Sequence, residues 1–320
     1  MIEWGFQVDG WDRVGRVAAY GAALALTPYL LIKVSWVVGS LLGLLPVGTG
    51  FGMAEWVVLN SATIGMAGTG IAVALALARP WGMRIPGAPL AFCAWVGTGF
   101  LVPVLPYAVL SSLLGSEDGN PTSGSDAGPS MPVWEAALIQ IGFVGMGLGL
   151  AIALPTYLRR RWPDAFAGRL EDRGEGSPRA LPWMAVVGVA VGLIWLYWAV
   201  GGTAGVAHRG ERDLAWYVLS GVFGIWAFVA SAATWAAVRG WPARVPRWCP
   251  MVLGWLGSGS LFAWSGWKLP FTLYLAVAQP ADAALPENLA LAAVLHLAAV
   301  GAGAAMLRAL VRTRLVSSNS

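Results

Sequence analysis

The sequence predicts an all-α integral membrane protein: eight transmembrane helices in two parallel-related four-helix repeats, with both termini cytoplasmic. Three observations carry that prediction. First, hydrophobic residues make up 58% of the chain and charged residues 11%, against a charged share of about 25% in a soluble domain. Such a chain cannot cover a water-facing surface, so most of its solvent is lipid. Second, long apolar runs recur along its whole length. Third, the chain repeats itself. Arg79-Pro-Trp81-Gly-Met-Arg84-Ile85-Pro86 returns 160 positions later as Arg239-Gly-Trp241-Pro-Ala-Arg244-Val245-Pro246, and Trp95-Val-Gly97-Thr-Gly99 returns as Trp255-Leu-Gly257-Ser-Gly259.

A run of about 20 apolar residues crosses a bilayer as a helix. By that measure spans are expected near 17–45, 56–78, 88–114, 133–158, 181–201, 214–238, 249–279 and 288–310. Backbone groups in lipid must pair internally, so only helices or closed barrels cross, and these runs are too long and continuous for barrel strands. The stretch before the first span, Met1 to Asp12, is acidic and broken by Gly5 and Gly10. It lacks the basic start of a cleavable signal, so the first span is expected to stay as an anchor. Pro86 and Pro246 punctuate the starts of the third and seventh spans; Pro103, Pro106 and Pro270 are expected to kink them. The fourth span ends at Arg159-Arg160-Arg161.

Basic residues then set the orientation. Of the 20 Lys and Arg, 16 fall in the N-terminal stretch, the 79–87, 159–180 and 239–248 segments and the C-terminal tail, while the alternate loops hold only Arg209 and Arg212. That is a positive-inside bias, and it accounts for the net charge of +4 without nucleic acid as a partner. The outer loop from Gly115 to Pro132 is Ser, Gly, Asp and Pro with no apolar run, and is expected to have no fold of its own. Cys93 and Cys249 fall at the cytoplasmic starts of spans, where thiols stay reduced.

Residues 1–160 form the first repeat and 161–320 the second, one membrane domain overall. Each contributes an even number of spans, so the copies share one orientation. The match keeps chain order: Lys33-Val-Ser-Trp36-Val-Val38-Gly39 with Trp195-Leu-Tyr-Trp198-Ala-Val200-Gly201, Gly43 with Gly205, Trp56-Val-Val-Leu-Asn60 with Trp216-Tyr-Val-Leu-Ser220, Leu105-Pro106-Tyr107 with Leu269-Pro270-Phe271, and Gln140 with His296. The Trp195–Gly202 run with Gly205, and its partner Lys33–Ser40, resemble small four-helix membrane proteins of high-GC bacteria that form a domain family of unknown function. The resemblance implies a tandem pair in a bacterial inner membrane and carries no activity.

Polar residues inside spans are expensive in lipid and usually face a bundle interior or cavity. Gln140 and His296 lie roughly 10 Å below the outer surface at about 1.5 Å per residue. Asn60 comes early in the second span, Lys33 and Lys268 sit toward the outer ends of the first and seventh, and Glu55 and Glu135 stand at the outer mouths of the second and fourth. These seven residues form an expected outward-facing pocket between the halves. The plain alternative for the lysines is snorkelling to the interface. The copies disagree at just these positions: Lys33 against Trp195, Val104 against Lys268, Gln140 against His296. On the cytoplasmic side, Arg79, Arg84, Arg239 and Arg244 are expected to meet lipid phosphates, although positive-inside placement and an interfacial Trp belt already explain them. The 19 tryptophans fall largely at span ends, Trp56, Trp198, Trp216 and Trp264 among those read as outer belt, with Trp95, Trp195, Trp226 and Trp255 deeper.

Three functions are consistent with this pattern. Binding or transport of a small molecule or lipid comes first, an accessory subunit packed on a membrane-protein partner second. The third is an intramembrane enzyme on a lipid or isoprenoid, with His296, Glu135 or Glu55 as acid or base. The balance is against an enzyme: no deep pair of carboxylates, no Ser/His/Asp arrangement and no phosphate-binding loop is present, and with only His208 and His296 a multi-histidine metal site is excluded. No cofactor is expected.

Overall fold

The computed structural model of the protein describes residues 3–48, 52–113, 132–161, 169–170, 182–278 and 285–317. Of the expected outer loop from Gly115 to Pro132 only Pro132, and of the 159–180 segment only Arg159, Arg160, Arg161, Arg169 and Leu170, fall within the described residues. Among the described residues there are eight α-helices and no strand: α1 Glu3–Leu41, α2 Met53–Ala78, α3 Gly87–Leu113, α4 Val133–Arg161, α5 Trp183–Ala199, α6 Leu214–Arg239, α7 Trp248–Ala278 and α8 Leu289–Ser317. Each falls on an expected apolar run. The main departure is α1, which begins well before residue 17 and passes through Gly5 and Gly10. An interior glycine costs a helix only about 1 kcal/mol, too little to break one anchored by a long apolar continuation.

Six helices contain stretches long and apolar enough to cross a membrane: Gly10–Leu41, Met53–Ala78, Gly87–Leu110, Trp134–Arg161, Leu214–Arg239 and Leu289–Arg312. The protein is therefore a multi-pass helical protein by length and composition. Helix α5 is apolar throughout but only 17 residues long. Helix α7 has ample length, 31 residues, but Ser258, Ser260, Ser265 and Lys268 dilute its apolar character.

The chain forms two compact units, Met1–Ala94 with Asp118–Arg161, and Trp95–Glu117 with Trp162–Ser320. In the first, α1 packs on α2 and α4. Helix α4 turns glycines toward the alanines of α1: a Cβ on Gly145 would stand 2.6 Å from that of Ala25, and one on Gly149 2.6 Å from that of Ala22. Small residues let backbones approach this closely where burial of apolar surface gives little drive. At the far end of α4, Arg161 donates to the carbonyls of Gly82 (3.3 Å) and Ile85 (2.8 Å), and Arg160 to that of Leu77 (3.0 Å). These bonds fasten the turn after α2.

The second unit holds α5 to α8 and the part of α3 from Trp95 onward. Its core gathers Trp195, Trp198, Phe223, Leu261, Leu295 and Met306. Helix α3 crosses α7 on glycine: a Cβ on Gly99 would fall on the Gly259 backbone, and one on Gly259 would stand 2.8 Å from the carbonyl oxygen of Trp95. Trp95 Nε1 donates to Ser258 Oγ at 3.1 Å across the same crossing. Local capping sets where α6 and α8 begin. Asp213 Oδ1 accepts the Trp216 N–H at 2.7 Å, and Asn288 Oδ1 accepts those of Ala290 and Leu291 at 3.1 and 3.2 Å, satisfying donors that a first turn leaves open.

Candidate functional site

In the second unit, the C-terminal end of α5, the N-terminal end of α6, the Lys268 region of α7 and the start of α8 enclose one cavity. Aromatic side chains build its walls. Trp198 and Trp216 face each other with centroids 6.1 Å apart, Trp195 packs on Phe223 at 5.7 Å, and Phe223 on Trp264 at 5.5 Å. Three of the indoles are pinned by their N–H groups: Trp198 donates to the Ala204 carbonyl (2.8 Å), Trp216 to Glu287 Oε1 (2.8 Å) and Trp264 to the Phe100 carbonyl (3.0 Å). Such rings are rigid furniture, since both their faces and their polar edges are fixed.

The polar lining is Lys268, His296, Ser265, Ser220 and Glu287. His296 is buried, and its Nδ1 lies 3.2 Å from Ser265 Oγ. The Lys268 ammonium stands 6.0 Å over the Phe223 ring. Among the described residues it makes no hydrogen bond or ion pair, and neither do the Ser220 hydroxyl or the Trp195 indole N–H. Glu287 also lines the cavity, yet it does not pair with Lys268. The free space is about 40 Å³ for the centres of water-sized molecules, where one water needs roughly 10–15 Å³. That is room for a small solute, not for an acyl or isoprenoid chain.

The first unit builds a related cluster and fills it. Lys33 is 1% exposed and donates to Asn60 Oδ1 at 3.1 Å, with its ammonium 4.2 Å over the Trp36 ring. Trp36 stacks on Trp56 at 5.7 Å; Trp36 Nε1 donates to Glu135 Oε1 (3.1 Å) and Trp56 Nε1 to Ser40 Oγ (3.2 Å). Of the seven residues expected to form one pocket, Lys33, Asn60 and Glu135 thus converge in the first unit, and Lys268 and His296 in the second. Glu55 is spent on helix capping, its Oε2 accepting the Gly52 N–H at 3.0 Å. Gln140, half-buried on α4, makes no hydrogen bond among the described residues.

The Lys33 ammonium is enclosed by Trp36 and Asn60, while Lys268, half-buried, lines the cavity of the second unit. Trp56 and Trp198, read as outer belt, are 4% and 1% exposed; their indole N–H groups donate to Ser40 Oγ and to the Ala204 carbonyl in the loop after α5. Trp134, Trp183, Trp241 and Trp248 do remain exposed. Of the arginines, Arg79 lies 5.5 Å over Tyr20, and Arg239 5.9 Å over Trp235 with its Nε buried and without a hydrogen bond; Arg84 and Arg244 are exposed.

Sequence reasoning missed Glu287, Ser265 and Ser220. Glu287 sits in the short connection before α8 and reads as an ordinary loop-edge acid. Only the isolated bridge between Val206 and Glu287, which ties that connection to the loop after α5, brings it over Trp216. No family model, no curated protein and no solved structure matches the chain.

Proposed function

We propose that this is a bacterial inner-membrane protein that binds a small solute from the outer side in the cavity of the second unit, as a carrier or receptor for it. The observation that carries this reading is that Lys268, Ser220 and Trp195, whose side-chain donors make no hydrogen bond among the described residues, line one aromatic-walled space. None of these donors is sealed from solvent, so each stays open to water or to a solute that supplies acceptors. Its small volume favours a solute over a lipid or isoprenoid, and so argues against the lipid-enzyme reading.

In this proposal all eight helices cross the membrane, with both termini cytoplasmic. The sixteen-to-two partition of basic residues supports it. So does the length of α5, 17 residues or about 26 Å at 1.5 Å each, close to the ~30 Å hydrocarbon core. The tandem repeat draws support from paired details: Gly43 and Gly205 both take left-handed φ values, 69° and 79°, and Trp36 with Trp56 mirrors Trp198 with Trp216.

The test uses Ser220→Cys in a chain whose Cys93 and Cys249 are replaced by serine. A membrane-impermeant, negatively charged methanethiosulfonate applied to intact cells is expected to label it. The charge-removing Lys268→Gln is expected to slow that labelling, because the ammonium draws the anionic reagent in. Labelling only from the cytoplasmic side, or no labelling from either side, would sink the outward-facing pocket.

A further inference from the structure

Two charges of opposite sign line the same cavity and leave each other alone. Glu287 Oε1 accepts the Trp216 indole N–H, and Lys268 has no hydrogen-bonding partner among the described residues. Both side chains are half-buried, so neither charge is fully hydrated and each is open to a ligand group of opposite charge. The first unit shows what the aromatic pair itself accepts. At the positions matching Trp195, Trp198, Trp216 and Ser220 it carries Lys33, Trp36, Trp56 and Asn60. There the Lys33 side chain places a primary ammonium 4.2 Å from the Trp36 ring centre, a cation–π contact of the kind Trp makes best. In the second unit Trp195 stands in place of that lysine, no ammonium covers Trp198, and the space beside it is open.

We propose that the second unit's cavity takes a small zwitterion, an amine bearing a carboxylate. Its ammonium lies over Trp198 beside Glu287, as the Lys33 ammonium lies over Trp36. Its carboxylate meets Lys268, Ser220 and the Trp195 N–H. The first unit is then a copy of the same site closed by its own lysine, and the divergence between the copies is the opening of one pocket. Arg212, whose guanidinium carbon lies 5.8 Å from the Trp216 ring centre while an Nη donates to the Gly202 carbonyl, covers Trp216 and leaves Trp198 as the face for the ligand. The volume limits the class to short chains such as glycine and β-alanine. This inference rests on the solute-binding reading above and narrows it.

The experiment is equilibrium binding to the full chain in lipid nanodiscs, with four probes: glycine, β-alanine, acetate and methylammonium. At least one zwitterion is expected to bind about tenfold more tightly than either single-charge probe. Glu287→Gln keeps an acceptor for Trp216 but removes the charge. It is expected to cost the zwitterion about tenfold while leaving acetate as tight or tighter. Lys268→Gln is expected to abolish zwitterion and acetate binding together, and Lys268→Arg to retain them, with elution profile and thermal stability as folding controls. Acetate binding as tightly as the zwitterions, and lost in Lys268→Gln, would overturn the zwitterion and leave an anion pocket standing. No binding by any of the four probes would overturn this inference and count against the pocket itself.

Discussion

Lys33 and Lys268 carry the same side chain, and their surroundings give them opposite roles. Lys33 is sealed: its ammonium bonds to Asn60, itself 0% exposed, and lies on Trp36. Removing that acceptor leaves a buried charge short of a hydrogen bond, so Asn60→Ala is expected to cost about 1.5–3 kcal/mol, the range for bonds to charged groups. Asn60→Asp, which keeps the acceptor, should cost less. Unfolding in mild detergent followed by near-ultraviolet circular dichroism measures both, and equal losses would contradict the assigned role of Asn60. Lys268 faces a cavity with no hydrogen-bond or ion-pair partner among the described residues, so Lys268→Gln is expected to change stability by under about 1 kcal/mol while changing what binds. That Lys33 and Lys268 stand out was legible from the cost of a charge in lipid. Which was sealed and which open was not, because that depends on Asn60 and Trp36 on one side and on α8 on the other.

Among the helices, the crossing of α3 and α7 shows most clearly how sequence becomes packing. The repeated Trp-x-Gly-x-Gly motif puts Gly99 against Gly259, and Trp95 reaches over to Ser258. A methyl group at Gly99 would enter the Gly259 backbone, which cannot move aside as a flexible side chain could. Gly99→Ala is therefore expected to destabilise by about 1–3 kcal/mol, the usual cost of overpacking, and Gly97→Ala, with nothing within 4 Å of its Cβ, to be near neutral. A melting comparison of the two checks this, and similar melting temperatures would refute the close crossing. The glycine motif was visible in the sequence; its partner was not, since periodicity marks a small-residue face without saying which helix meets it. Helix positions were legible for the same reason in reverse: apolar length is a local property, and the eight helices among the described residues fall on the expected runs.

For the whole molecule, orientation is the property with the plainest consequence. In a chain lacking Cys93 and Cys249, a single cysteine at His208, between α5 and α6, is expected to react with an impermeant maleimide in intact cells. One at Arg84, after α2, should react only once the membrane is opened. The reverse pattern would invert the topology, and labelling of both from outside would remove α5 or another helix from the membrane. The amino-acid sequence by itself determined the class of solvent, the place of the helices described and the distribution of charge, because apolar length and Lys/Arg placement act through local rules. Tertiary structure alone decided that the polar residues fall into a filled cluster in one unit and an open one in the other. It also brought Glu287 over Trp216 and turned Trp56 and Trp198 inward. Those outcomes depend on which side chains far apart in the chain meet across helices, and no local pattern encodes that.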